Sequence, residues 1–236
     1  ETNLHRSIIL AGAALLIAAS PARSPEQVAE SALRAAPVWD GHNDAPEQIR
    51  DRSKGIMAEL DFRDTSRTPA PEIKRGPMQT SLGRIRKGRL GAQFWSVYVD
   101  FTLPEPQAVQ ATLEQIDTVK RLIARYPQDL SYREDSTCVG KALKVGKIAS
   151  LLGMEGGHSI GGSLGVLRQM HALGVRYMTL THFKNNAWAD SATDKPRHGG
   201  LSPFGEAVVR EMNRLGMLVD LNHVCDETMA DALRVT

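Results

Sequence analysis

The sequence predicts an α/β fold built on a parallel sheet, and three observations support this prediction. Short apolar segments rich in β-branched and aromatic residues alternate with segments whose apolar positions recur every three or four residues, which is typical of βαβ units. Gly174 and Gly216 stand where a helix should end before the next strand. Polar residues directly follow several predicted strands, as they do at the carboxyl-terminal face of a β/α barrel.

The first half of the chain contains two predicted strands and two predicted helices. A helix is expected over 25–36, and a buried strand follows it over 38–41. Residues 52–91 are rich in Arg, Gly, Pro and Ser and predict loop and short helix. A second strand over 92–99 has β-branched and aromatic content, and the apolar spacing over 106–126 predicts an amphipathic helix.

The second half repeats one pattern, an apolar strand followed by an amphipathic helix. Strands are expected over 148–154, 177–180 and 217–221, and helices over 164–173, 203–215 and 226–233. A doubly wound open sheet would also gather its strand ends on one side. The glycine-rich segment 161–165 lacks the Gly-x-Gly-x-x-Gly spacing and has no strand directly before it, so the barrel is favoured.

Composition excludes several classes of partner and of scaffold. The net charge of +2, from 29 basic and 27 acidic residues, implies no nucleic-acid partner. The basic cluster 84–89 is interpreted as a solvated helix end or loop rather than a phosphate site. Cys138 and Cys225 are too few for a disulfide framework, so stability must come from the core.

The N-terminal segment 1–22 is predicted to be a signal peptide. His5 and Arg6 precede an unbroken apolar stretch over 8–19, and small residues follow it. An uncleaved anchor is the alternative, although the stretch is short for a membrane span. We therefore expect an exported protein that is periplasmic, membrane-associated or secreted, and any membrane association is expected through the N-terminus only.

Five residues at predicted strand ends form a candidate metal site. His42 and Asp44 are separated by one residue, so in an extended backbone both side chains point to the same side and can hold one cation. Glu155 ends an apolar strand, where an unpaired carboxylate would be costly to bury. His223 follows another strand, and His182 is either a ligand or a hydrogen-bond donor to a substrate.

The same residues have simpler interpretations as well. Glu155 could cap a helix N-terminus, and His223 could be a satisfied polar side chain. Cys225 could offer a thiolate, although a small free thiol fits better beside the available histidines and carboxylates. His158 lacks a strand-end position and is a candidate for contacting ligand residues from behind.

Five segments in the same order resemble the membrane dipeptidase (renal dipeptidase-like) family of zinc peptidases, in particular its bacterial members. The segments are Asp40-Gly41-His42-Asn43-Asp44, Gly153-Met154-Glu155-Gly156-Gly157-His158, Leu180-Thr181-His182 with Asn186-Ala187-Trp188-Ala189-Asp190, Gly200-Leu201-Ser202-Pro203-Phe204-Gly205, and Asp220-Leu221-Asn222-His223-Val224. The resemblance runs from about residue 38 to the end of the sequence.

The resemblance implies a TIM-like (β/α)8 barrel of the metal-dependent hydrolase type, with two Zn²⁺ per complete active site. His42 and Asp44 would hold one ion, Glu155 would bridge both, and His223 would bind the other. His182 would contact the substrate and polarise the scissile carbonyl, so Glu155 and His182 are the candidate catalytic residues. A metal-bridging hydroxide would then cleave a dipeptide.

The sequence also departs from the family pattern. A further zinc-binding histidine, and an Arg and an Asp that grip the substrate, are expected beyond the counterpart of His223 but are absent before Thr236. About five or six of the eight barrel strands are predicted. Residues 25–236 are therefore expected to be the N-terminal portion of a barrel metallopeptidase domain, and the fragment itself is expected to be unstable or inactive.

Two competing functions are weighed against the dipeptidase. Another binuclear-metal barrel hydrolase, such as a lactonase, phosphotriesterase or deacylase, usually begins with His-x-His, whereas this chain has His42 and Asp44. An exported binding protein without catalysis would be expected to have lost metal ligands. The expected partner is a dipeptide substrate, and a homodimer is one of the assemblies that the sequence leaves open.

Overall fold

The computed structural model describes residues 23–68 and 76–236. The strands in these ranges are β1 Val38–Asn43, β2 Leu90–Ser96, β3 Leu130–Tyr132, β4 Ile148–Glu155, β5 Val175–Thr179 and β6 Leu218–Asp220. The helices are α1 Pro25–Ala35, α2 Ala45–Ser53, α3 Leu82–Lys87, α4 Glu105–Arg125, α5 Ser136–Lys144, α6 Leu164–Ala172, α7 Pro203–Leu215 and α8 Asp226–Val235. Short 3₁₀ helices span Met57–Glu59 and Gly157–Ile160.

The strands form one parallel sheet in the order β1-β2-β4-β5-β6, and β3 also pairs with β4. Parallel pairing of Glu155 with Thr179, and of Thr179 with Asp220, sets the carboxyl ends of β4, β5 and β6 side by side. The prediction of an α/β barrel built only in part is confirmed, because the sheet is a parallel half-barrel with β1 and β6 at its edges.

The main core lies between the sheet and the helices that cover it. β4 is buried along its whole length, as expected of a strand covered on both faces. Leu152 and Met178 of the sheet belong to the same buried cluster as Leu122 of α4 and Val208 of α7. Burial of each such side chain contributes roughly 1.5–3 kcal/mol, so this layer fixes the sheet on which the candidate site stands.

Local signals determine where several elements begin and end. Ser24 and Gln27 form a capping box at the start of α1. Ser202 caps α7, whose first residue is Pro203, and Gly216 ends it in the left-handed conformation. These signals explain why the predicted bounds of α1 and α7 agree closely with the structure.

Several short elements were not predicted from the sequence, among them β3, α5, α2 and the 3₁₀ helix Gly157–Ile160. β3 has only three residues, and α5 is short with a glycine in its interior, although Asp135 caps it by accepting a hydrogen bond from the Cys138 N–H. α2 begins directly after Asp44 with Ala45 and Pro46. β1 is longer than expected, so His42 lies inside the strand rather than after it.

The predicted signal peptide over 1–22 lies outside the described residues. Within 23–68 and 76–236, none of the helices combines the length and the apolar character that a transmembrane span requires.

Candidate metal centre

The carboxyl edge of the sheet gathers all five predicted site residues. His42 lies near the end of β1 and Asp44 directly follows that strand, while Glu155 is the last residue of β4. His182 stands in the loop after β5, and His223 in the loop after β6. Residues that are widely separated in the sequence thus meet in one place, as the strand-end pattern predicted.

Glu155 lies at the centre of the cluster and presents its two oxygens to different imidazoles. Its Oε2 is 3.3 Å from Nε2 of His42. Its Oε1 is 3.3 Å from Nε2 of His223 and 3.5 Å from Nε2 of His182. On the side of His42, the Nε2 atom is also 3.0 Å from Oδ1 of Asp44. The carboxylate therefore connects two groups of nitrogen and oxygen ligands.

The turn after β4 gives Glu155 its position. Gly156 has φ of 107°, a conformation that L side chains rarely adopt, and an added Cβ would lie 2.6 Å from Nδ1 of His158. His158 is buried behind the site and its Nε2 is 3.2 Å from the carbonyl of Val99. Burial lowers the pKa of His158, and its ring supports the turn rather than joining the ligand groups.

His223 adopts a left-handed backbone conformation with φ of 64°. Its carbonyl accepts hydrogen bonds from Oγ1 of Thr181, at 3.0 Å, and from the N–H of Ala192, at 2.9 Å. A non-glycine residue in this region is uncommon and stores strain that the surroundings must hold in place. The two hydrogen bonds anchor the His223 backbone to the loop that carries His182.

Two polar contacts of the cluster were missed by sequence reasoning. The hydroxyl of Tyr177 lies 3.1 Å from Nδ1 of His42, and Oγ of Ser96 donates to Oε2 of Glu155 at 3.2 Å. Tyr177 and Thr179 alternate with Met178 in β5, so period two places both on one face of that strand. This alternation is the only sequence signal that pointed toward Tyr177.

Aromatic rings surround the buried side chain of His182. Its ring centroid is 4.8 Å from that of Tyr98, 5.7 Å from Phe101 and 4.2 Å from Phe183. The ring of His223 is 4.4 Å away. Nδ1 of His182 is buried and has no hydrogen-bond partner among the described residues, so one polar atom of this ring is left for another molecule.

The charges of the cluster depend on one another. Burial acts to raise the pKa of Glu155, but hydrogen bonds with His182 and His42 more than offset it and hold the pKa well below its usual value. Hydrogen bonds with Asp44 and Glu155 raise the pKa of His42 to about 10. A carboxylate that stays ionised in a largely buried site calls for positive charge beside it.

The side chains present fit a divalent cation. Within 23–68 and 76–236, two overlapping groups have ligand atoms within 4.8 Å of one another: His42, Asp44 and Glu155, and Glu155, His182 and His223. Imidazole nitrogen and carboxylate oxygen are ligands that Zn²⁺ accepts. The structure thus places His182 among the candidate ligands, a position that the sequence had left open.

A cavity of about 820 Å³ opens beside the cluster on the inner face of the sheet. His42, Glu155 and His223 line it, together with Phe94 and Tyr177. Its volume lies in the range of small-molecule sites, so a small substrate can reach the ligand groups from this side.

Comparison with known proteins identifies the family. The model of the membrane dipeptidases, peptidase family M19, matches residues 26–236. The chain belongs to the membrane dipeptidase family. This result confirms the resemblance that the five sequence segments indicated.

Solved structures agree with the fold of this membrane dipeptidase family member. The probable dipeptidase PvdM from Pseudomonas aeruginosa matches with a TM-score of 0.73 and 20% identity, over 90% of this chain and 54% of that one. A metallopeptidase from Rhodobacter sphaeroides, liganded with a phosphinate mimic of the dipeptide L-Ala-D-Ala, matches with a TM-score of 0.71 and 20% identity, over 85% of this chain and 62% of that one. A dipeptidase of family M19 matches with a TM-score of 0.70 and 23% identity, over 85% of this chain and 60% of that one.

These structural similarities show that the chain shares the fold of the three solved structures. The membrane dipeptidase chain described here spans between 54% and 62% of the length of these three structures.

Proposed function

We propose that this member of the membrane dipeptidase family supports zinc-dependent hydrolysis of dipeptides. The observation that carries the proposal is the position of Glu155, whose two oxygens face separate groups of imidazole and carboxylate ligands. Membership of a metallopeptidase family implies dependence on a metal, and the nitrogen and oxygen donors favour zinc.

The residues divide into two cation positions that share one carboxylate. His42 and Asp44 would hold the first Zn²⁺, His223 the second, and Glu155 both. The 3.0 Å approach of His42 to Asp44 and the 3.3 Å approach of His223 to Glu155 support this division. Bound cations would supply Lewis-acid chemistry, lowering the pKa of a water molecule and polarising the peptide carbonyl.

The other residues of the site would bind and orient the dipeptide. Nδ1 of His182 has no partner among the described residues and can donate a hydrogen bond to a substrate oxygen as negative charge develops there. The rings of Phe101 and Phe183 beside it offer apolar surface for a substrate side chain. We therefore assign His182 to the substrate, although it also lies within reach of one ligand group.

Replacing Glu155 by Gln tests the proposal, because an amide cannot bridge two cations as a carboxylate can. In the complete protein, we expect Glu155→Gln to lower zinc content and to reduce dipeptide hydrolysis by about 100-fold or more. Zinc is measured by elemental analysis after dialysis, and hydrolysis with a panel of dipeptides. The exposed Glu114 on α4 provides a matched control, since Glu114→Gln changes the charge equally outside the site.

The same panel separates the dipeptidase from the other barrel hydrolases. Turnover of lactones or phosphotriesters without dipeptide cleavage would overturn the assigned reaction. Zinc content and dipeptide turnover that are unchanged in Glu155→Gln would overturn the assigned metal site.

A further inference from the structure

We infer that Tyr177 is a positioning residue that fixes the orientation and the ring tautomer of His42 for metal binding. The inference rests on the proposed metal site, and it concerns a side chain that belongs to neither of the two ligand groups. Tyr177 would act through His42, whose Nδ1 lies within hydrogen-bond distance of its hydroxyl.

The two ring nitrogens of His42 face different surroundings. Nε2 lies 3.0 Å from Oδ1 of Asp44 and 3.3 Å from Oε2 of Glu155, so this nitrogen points toward the cation position. Nδ1 lies 3.1 Å from the hydroxyl of Tyr177 on the opposite side of the ring. A cation at Nε2 requires a free lone pair there, which places the proton on Nδ1. That N–H can donate to the hydroxyl oxygen of Tyr177.

The sheet holds Tyr177 firmly in this position. Its side chain belongs to the buried set, 6% exposed, and its ring centroid is 5.2 Å from that of Phe94. In the sheet, Tyr177 pairs with Gly153 of β4 on one side and with Leu218 of β6 on the other. The hydroxyl therefore belongs to a rigid element rather than to a loop.

Gly153 makes room for the ring of Tyr177. A Cβ built on Gly153 would meet Cε1 and Cζ of Tyr177 at 2.1 Å and its hydroxyl oxygen at 2.5 Å. Gly153 has an ordinary negative φ, since it is not among the glycines with a positive value, so the backbone does not require glycine here. Because Gly153 has no side chain, the ring of Tyr177 can pack closely against β4, and its hydroxyl can then reach His42.

The contact with His42 gives the buried hydroxyl of Tyr177 a hydrogen-bond partner. Among the described residues, the hydroxyl of Tyr177 makes its hydrogen bond with His42. Buried tyrosine hydroxyls usually find such a partner. Histidines that bind metals usually bond through their second nitrogen, and loss of that contact typically weakens metal affinity 10- to 100-fold.

The test is Tyr177→Phe in the full chain, which removes the hydroxyl and keeps the ring. We expect Zn²⁺ affinity, measured by competition with a chromophoric chelator, to fall about 10- to 100-fold. The visible absorption spectrum of bound Co²⁺ should change as well, because the histidine ligand is no longer held in one orientation. Tyr132→Phe is the matched control, since that hydroxyl bonds to Glu134 and to the carbonyl of Leu173.

A second variant tests the same contact from the neighbouring strand. Gly153→Ala should displace the ring of Tyr177 and weaken Zn²⁺ binding as well. Adding Tyr177→Phe to it should cause little further loss, because both changes remove the same hydrogen bond. Circular dichroism of each variant establishes that the fold is retained.

The outcomes separate this inference from the proposed function. Tight Zn²⁺ binding by the parent chain, with the affinity and the Co²⁺ spectrum unchanged in Tyr177→Phe, would overturn the inference alone. A parent chain that binds no Zn²⁺ would overturn the proposed metal site, and the inference with it. An equal loss of affinity in Tyr132→Phe would show a general effect of hydroxyl removal and would also overturn the inference.

Discussion

The carboxylate of Asp190 is fully buried in the loop between β5 and α7, close in sequence to His182. Its Oδ2 accepts hydrogen bonds from four successive backbone N–H groups over 197–200, at distances between 2.8 and 3.3 Å. The neighbouring Ser191 donates to the carbonyl of His182 at 2.6 Å. One charged residue thus organises the loop that presents His182 to the site.

Asp190→Asn should destabilise the protein. The amide keeps the shape but loses the negative charge that the four N–H groups face, and hydrogen bonds to charged groups contribute roughly 1.5–3 kcal/mol. We expect the free energy of unfolding at pH 7 to fall by about 2 kcal/mol, measured by denaturant titration. The exposed Asp117, which pairs with Arg121, provides the control, because Asp117→Asn should cost less than about 1 kcal/mol.

The difference in the free energy of unfolding between the parent and Asp190→Asn should also depend on pH. Burial acts to raise the pKa of Asp190, but the backbone N–H groups, that of His198 first, lower it below its usual value. A lowered pKa gives stability that is fully present above the unfolded value, about 3.9, and is lost as pH falls through the folded value. The difference in the free energy of unfolding between the parent and Asp190→Asn should therefore become smaller as the pH falls. A gap that widens as pH falls would contradict this assignment.

Single residues of the site were predictable to different degrees. His42, Asp44 and Glu155 could be selected because a polar side chain after an apolar strand marks the carboxyl edge of a parallel sheet. The contact of Tyr177 with His42 could not, because it joins positions 135 residues apart. Such a contact depends on strand register and on the space left by Gly153, which local patterns do not specify.

Elements with strong end signals were predicted most accurately. α7 spans the residues expected of it because Ser202, Pro203 and Gly216 mark its two ends. β3 pairs with β4 through three residues only, which is too short for a periodic pattern to stand out. α5 was missed because it is short and contains Gly140.

The cap of α7 provides a prediction at this scale. Oγ of Ser202 accepts a hydrogen bond from the N–H of Gly205 at 3.2 Å, so Ser202→Ala should destabilise the protein by about 1 kcal/mol. Denaturant unfolding measures the change, and Ser202→Asp should restore most of it because aspartate also caps. Zinc content should not change, since Ser202 lies outside the ligand groups. Equal stability of parent and Ser202→Ala would show that the cap contributes nothing.

At the scale of the molecule, β1 and β6 stand at the ends of the sheet, and each pairs with one other strand among the described residues. Trp39 on β1 is 52% exposed, and Leu218 on β6 is 61% exposed. Unpaired edges with apolar side chains favour pairing with other chains. The alternation of strands and helices predicted the fold class, but the direct pairing of β2 with β4 is a long-range property that no local segment encodes.

Leu218→Lys should reduce self-association of the 236-residue chain. A charged side chain on an edge strand opposes edge-to-edge pairing and removes apolar surface from the uncovered face. Light scattering across a concentration series measures the effect, and the exposed Val145 after α5 provides the control as Val145→Lys. Should both variants scatter as the parent does, association must occur through another surface.

The left-handed backbone of His223 carries a meaning beyond its place in the loop. Glycine would adopt this φ without penalty, whereas an L side chain pays about 1–2 kcal/mol for it. Because this imidazole faces Glu155, His223→Gly would relieve the backbone strain and would at the same time remove a candidate metal ligand. A glycine introduced here to raise the melting temperature would therefore impair the candidate metal site.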